Sequence, residues 1–204
     1  CGGLKCFLEK NQKAKIYIRP QAWEAHYVKV LGIPFYAGMD RAILPTDRFV
    51  FTDDIHVIDS EITLFSNVGG KFPLPESDGN LFVKRNGKMV PDDFCHEQNL
   101  LITSGDSQIL ICGCAHAGIV NIVHRAKTLA GNDPTAVIGG MHLYEPVKKR
   151  YERDSYIGSV AAALAEIKSS YYTCHCTGEK VYKKMKARLG ARLTYLRTGL
   201  EVRI

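Results

Sequence analysis

The chain has 204 residues, 46% hydrophobic and 24% charged, which fits one globular domain over 1–204 and excludes a disordered or collagen-like chain. Its 27 Lys and Arg against 21 Asp and Glu leave a net charge of +6. The longest apolar runs, such as Ile109 to Cys112, are far shorter than the roughly 18 residues of a membrane span.

Leu4 to Lys10 reads as a short helix, and Ala14 to Arg19 alternates as a strand. Pro20 suits a first helical turn, so a helix is expected over Gln21 to Leu31, with Gly32 as its stop. Ile55 to Val68 reads as one or two strands. The segment 69–97 is rich in Gly, Pro and Asp and too long for an ordinary connection, which marks it as a loop lining a substrate pocket. Within it, Asn86-Gly87 between two short apolar runs signals a hairpin.

The second half is more regular. Leu100 to Thr103 and Gln108 to Cys112 form a strand pair, followed by a helix over Ile119 to Ala130 and a buried strand at Ala136 to Ile138. A helix over Asp154 to Lys168, a strand at Tyr171 to Cys174 and a helix over Gly178 to Leu189 follow. Arg192 to Leu196 and Leu200 to Ile204 are expected as closing strands. Strands alternating with helices give an α/β layered fold. The basic stretch Lys183 to Arg188 has Val181, Met185 and Leu189 at helical spacing, so it is a solvated helix face. No aromatic interleaving accompanies it, and no nucleic-acid partner is expected.

Three histidines stand where buried strands end: His116, His142 and His175. In α/β sheets ligands bind at the carboxyl ends of strands, and histidine is the commonest metal ligand, so the three predict a metal site. The turns after two of them, Gly118-Ile119 and Thr177-Gly178, open helices whose free N–H groups could hold a phosphate; plain turn packing is the alternative. His96-Glu97 closes the long loop and could do acid–base work, or form a charged hairpin stem. His26, His56 and His124 read as structural or surface residues. Seven cysteines are too few and too dispersed for a disulfide scaffold, so a reducing cytoplasm is expected. Cys112-x-Cys114 and Cys174-x-Cys176 offer a rival four-thiolate site, but one residue between paired cysteines is short of the usual two.

Gly113-Cys114-Ala115-His116-Ala117-Gly118-Ile119-Val120-Asn121, Gly139-Gly140-Met141-His142-Leu143 and Cys174-His175-Cys176-Thr177-Gly178, in that order, resemble the metallo-β-lactamase superfamily. The branch they are most like is named for dihydropterin-methyl-(ribofuranosyl)aminobenzene-phosphate synthase. The resemblance implies an αββα sandwich with two divalent metal ions, zinc first and iron or manganese otherwise. It implies that His116 and His175 complete the two metal sites. His142 stands where other branches place a bridging aspartate, as a ligand or a catalytic contact. The implied activity is metal-dependent hydrolysis or transfer on a phosphorylated or pterin-like small molecule.

The superfamily's principal metal motif, H-x-H-x-D-H, occurs nowhere in the chain. In this branch Gly-Gly-Leu follows that motif, and the chain opens Cys1-Gly2-Gly3-Leu4. The expectation is therefore that the missing N-terminal segment of the same protein carries further ligands. A non-enzymatic module with an incomplete metal site is the alternative.

Overall fold

The computed structural model describes residues 2–146 and 148–204; Cys1, on which the expectation of an upstream motif turns, lies outside them. In chain order the regular elements are α1 (Leu4–Lys10), β1 (Ile16–Ile18), β2 (Ala25–Val30), β3 (Ile33–Tyr36), β4 (Phe49–Phe51), β5 (Ile55–Val57) and β6 (Ile62–Ser66). Then come β7 (Leu81–Arg85), β8 (Lys88–Pro91), β9 (Gln98–Ser104), β10 (Ser107–Ile111), α2 (Ile119–Ala130) and β11 (Ala136–Gly139). The last are β12 (Tyr144–Glu145), β13 (Arg150–Tyr151), α3 (Asp154–Ala165), β14 (Ser170–Thr173), α4 (Glu179–Leu189) and β15 (Leu193–Tyr195).

The main sheet has seven strands in the order β15-β14-β11-β10-β9-β6-β5. Its four strands from β10 to β15 run parallel and are joined through α2, α3 and α4, while β9, β6 and β5 are antiparallel. The register aligns Leu101, Leu110, Val137, Tyr171 and Leu193 in one row across five strands. Every member of that row is buried, and it packs under Ile122, Val123 and Ala126 of α2, Val160 and Leu164 of α3, and Met185 and Leu189 of α4. Period two in the strands meets period 3.6 in the helices at this layer, and its burial is the main driving force for the fold.

A second sheet of four strands, β3-β2-β7-β8, is built largely from the segment after Pro20 and the long loop. The hairpin at Asn86-Gly87 forms as expected, with φ of 50° and 79° at the two residues, the geometry of a turn that matches strand twist. The helix expected over Gln21 to Leu31 does not form. One 3-10 turn at Pro20–Trp23 gives way to β2, because His26, Val28 and Val30 alternate with residues facing the other way and pair with both β3 and β7. The strand expected at Leu200 to Ile204 is irregular chain. A small satellite core of Met39, Ile43 and Phe49, with Trp23, Leu4 and Leu8 against it, seats α1 and the β1–β4 pair.

Candidate metal centre

Strands β10, β11 and β14 are neighbours in the main sheet, so the chain leaves the sheet at three adjacent carboxyl ends. Each exit carries one histidine segment. Each also holds a non-glycine residue in the left-handed region: Ala115 at φ 61°, His142 at 44° and His175 at 50°. Such backbone costs on the order of 1–3 kcal/mol per residue and persists where surrounding structure fixes it, commonly at functional sites.

His116 and His142 come together, their ring centroids 4.1 Å apart. Between them lies Asp78, from the 3-10 turn at Glu76–Asn80 in the long loop. Asp78 Oδ1 accepts from His116 Nδ1 at 2.7 Å and lies 3.3 Å from His142 Nε2. The three ligand atoms all lie within 4.8 Å of one another. Burial pushes the Asp78 carboxyl up to about 6 against the pull of His116. Burial would lower His116, but hydrogen bonds to Asp78 and Cys114 outweigh it and lift the imidazole to about 10. Burial and the charge on His116 bring His142 down to about 4. Phe94, itself at φ 55°, stacks on the His116 ring at 5.0 Å and 14°.

His175 lies apart from this pair of histidines. Its ring groups with the sulfurs of Cys114 and Cys176. The two groups are adjacent, since Cys114 lies two residues before His116 in the chain and its carbonyl accepts from Cys176 Sγ at 3.6 Å. The proximity of Cys176 and His116 pulls the Cys114 thiol down, while Cys114 and burial push Cys176 up.

A cavity of about 310 Å³ opens in front of His116 and His142, within the size range of small-molecule sites. Across it stand His26, Asp92 and His96, with Tyr27, Val28, Leu81, Phe94 and Pro146 as apolar wall. His26 donates Nδ1–H to Asp92 Oδ2 at 2.7 Å and Nε2–H to the Gln21 carbonyl at 3.1 Å. Burial opposes its charge, but both partners accept, and the balance raises the pKa. Asp92 Oδ1 also lies 3.6 Å from His96 Nδ1, and burial beside the His26 charge drops His96 to about 4. His96 is thus a neutral imidazole on the cavity wall.

The remaining expected site residues serve the scaffold. Glu97 is half-buried, and its two oxygens accept from the backbone N–H groups of His116 and Ala117 at 2.7 and 2.9 Å, so it holds the His116 turn in place. Gly118, Ile119, Thr177 and Gly178 do not line the cavity. Gly118 caps α2 at φ 82° and Ile119 is in the core. The α2 start is tied to the long loop through Asn121, which bonds Phe72 N and O and the Ala117 carbonyl. Thr177 is fully buried, bonded to Met141 N at 3.0 Å and to Thr173 Oγ1. At Gly178 a Cβ would lie 3.0 Å from Tyr144 Cβ.

Two residues of this cluster and cavity escaped the sequence reading. Asp78 sits in a Gly- and Pro-rich stretch with no periodicity. His26 was assigned to a helix interior, when in a strand its ring points at the cavity.

No family model matches the chain. Over 102 residues, 49% of this chain and 33% of the relative, it is 35% identical to 7,8-dihydropterin-6-methyl-4-(β-D-ribofuranosyl)-aminobenzene-5'-phosphate synthase of Methanocaldococcus jannaschii. The match thus spans about a third of that relative's length. Over 186 residues, 91% of this chain and 67% of the relative, it is 25% identical to an uncharacterised protein of the same organism. The crystal structure of a metal-dependent hydrolase of the β-lactamase superfamily superposes with a TM-score of 0.76 at 24% identity, covering 93% of this chain and 71% of the other. The chain therefore has the metallo-β-lactamase-type fold, and across half its length its sequence resembles the dihydropterin synthase.

Proposed function

We propose that the protein is a metal-dependent hydrolase or transferase that acts on a small molecule held between His96 and the Asp78–His116–His142 group. The observation that carries this is the convergence of one carboxylate and two imidazoles, within 4.8 Å, at the mouth of a cavity. The donor set fits a divalent cation. Asp78 Oδ2 and His142 Nδ1 are buried without a hydrogen-bond partner, a costly state for a polar atom unless something else satisfies the site. One carboxylate and two histidines are a familiar ligand set for zinc and iron alike. A divalent ion held there would activate water and polarise a phosphoryl or carbonyl oxygen.

The protein's own groups supply the rest. Glu97 fixes the turn that presents His116, and Phe94 stacks against its ring. His96, neutral and on the wall, is placed to take or return a proton on the side away from the ligand group. The wall favours a compact, partly apolar substrate with a ring to lie along Tyr27, Leu81 and Phe94. A pterin-like molecule has that shape. A phosphorylated one is supported by the relative's name alone, since no Lys or Arg is among the described residues lining the cavity.

The test is turnover by the purified protein charged with zinc, manganese or ferrous iron, on panels of pterins, phosphomonoesters and phosphodiesters. Turnover should require metal, vanish in His116→Ala, and fall about 100-fold or more in His96→Gln, the usual scale of an acid–base residue. Equal turnover in all three proteins, or none with any metal, would overturn the proposal.

A further inference from the structure

The cations that the cavity before His116 and His142 lacks stand in another one. Along the flank of α2 a second cavity, of about 580 Å³, lies between that helix, residues 69–73 of the long loop and Ala163 of α3. The two cavities share no lining residue. Lys71, His124 and Arg125 line this one, and no Asp or Glu among the described residues does. Cations nearby are paired, Lys127 with Asp133 and Arg153 with Glu76. The side chains of Lys71, His124 and Arg125 have no ion-pair or hydrogen-bond partner among the described residues.

We propose that this second cavity binds a small organic phosphate, its phosphate group on Lys71 and Arg125 and its apolar or ring portion along Phe72, Val120 and Ala163. The site is separate from the metal-enzyme reading and does not rest on it. Arginine and lysine form the strong, charge-assisted hydrogen bonds that phosphate oxygens accept, and arginine's planar fork adds two parallel ones. Arg125 is half-buried, so water screens its charge less than it would on an open surface. The backbone N–H groups of Gly69, Gly70 and Lys71 have no acceptor among the described residues, which offers three consecutive further donors on the same rim.

The rim is held in shape by both helices. Asn121 of α2 accepts from the Phe72 N–H at 3.1 Å and donates to the Phe72 carbonyl at 3.0 Å. A Cβ at Gly70 would lie 2.0 Å from Asn121 Oδ1, so glycine there is what lets the loop close down on the helix. From α3, Tyr156 donates its hydroxyl to the Pro73 carbonyl at 2.8 Å, and its ring lies 6.2 Å from that of Phe72. The cavity is thus largely formed before any ligand arrives, and its volume is that of a small-molecule site. Cations that served solubility alone would need neither a walled cavity nor an apolar floor.

Phenyl phosphate carries both recognised parts and serves as the probe, with phenol as its neutral counterpart. Titrated into the purified protein and followed by amide NMR spectra, it should shift the Gly69, Gly70 and Lys71 signals saturably, and phenol should not. Its dissociation constant should rise about tenfold or more in Arg125→Gln and in Lys71→Gln, the scale of one lost charge-assisted hydrogen bond, and stay unchanged in His142→Ala. The same spectra show whether each variant keeps its fold. Wild-type binding should also weaken as salt is added, and indifference to salt would contradict the site. Shifts confined to the amides around His116 and His142, and abolished in His142→Ala, would put the phosphate on the metal centre, upholding that reading and overturning this one. No saturable shift at the three amides, an equal response to phenol, or equal affinity in the wild type and both Gln variants would overturn it as well.

Discussion

At the scale of single residues, the pairing of His26 with Asp92 sets a pH dependence with a definite sign. Burial opposes the His26 charge, but the hydrogen bonds to Asp92 and the Gln21 carbonyl prevail and raise its pKa. A raised histidine stabilises the fold fully below its unfolded pKa, and the contribution fades as pH rises through the folded value. Burial would raise Asp92, yet His26 and the Phe94 amide hold it below the usual carboxylate range, so its share fades only in acid. His26→Gln should therefore cost stability most between about pH 4 and 6.5 and progressively less in alkali. Urea melts of the two proteins across pH check this, and a gap independent of pH would contradict it. Glu97→Gln tests the carboxylate that holds the His116 turn. Replacing one oxygen by an amide leaves one of the two backbone N–H groups of His116 and Ala117 facing a donor, at a cost of about 1–3 kcal/mol.

Neither pairing could be read from the chain alone. His26 and Asp92 are separated by 66 positions, and Asp78 and His116 by 38, and no local pattern links them. What was legible is what local rules encode. The three strand-end histidines stood out because each follows a buried apolar run, and the structure brings two of them together. The third, His175, joins the cysteines, a grouping that spacing alone could not give because each Cys-x-Cys pair sends its members to different places.

At the scale of elements, the segments read correctly are those whose burial follows one period. α2 shows its apolar face as Ile119, Ile122, Val123 and Ala126, and the expected bounds match the observed helix. The segment 21–31 failed because Pro20 is a good helix start while the residues beyond it alternate, and pairing on both edges of β2 settled the competition. The long loop is expected to line a substrate pocket and to fold a hairpin at Asn86-Gly87; β7 and β8 are that hairpin, and β2 pairs with its β7 edge. Two substitutions test the layer beneath the site. Leu110→Ala empties the centre of the buried row and should cost about 2–5 kcal/mol in a denaturant melt. Gly139→Ala should do comparable harm for a different reason, because a Cβ there would sit 2.4 Å from the Cys112 carbonyl oxygen. A melt unchanged from wild type in either variant would contradict the packing described.

At the scale of the whole molecule, the cavity exists because two sheets contribute opposite walls. The main sheet delivers His116 and His142 from its strand ends, the second sheet delivers His26 and the Asp92–His96 turn, and the long loop bridges them with Asp78. A ligand that bridges walls should stabilise the whole, by about 2.7 kcal/mol at a hundredfold excess over its dissociation constant. Melting temperature should accordingly rise with added zinc and fall with a chelator.

The most direct measurement is metal content by elemental mass spectrometry on the purified protein beside Asp78→Asn, His116→Ala and His142→Ala. Bound divalent metal in the wild type, diminished in all three variants, is the predicted result. Asp78→Asn is the sharpest arm, because that residue enters through the fold and not through any motif. A wild-type protein free of metal, or one whose content none of the three substitutions changes, would contradict the assignment of this site as a metal centre.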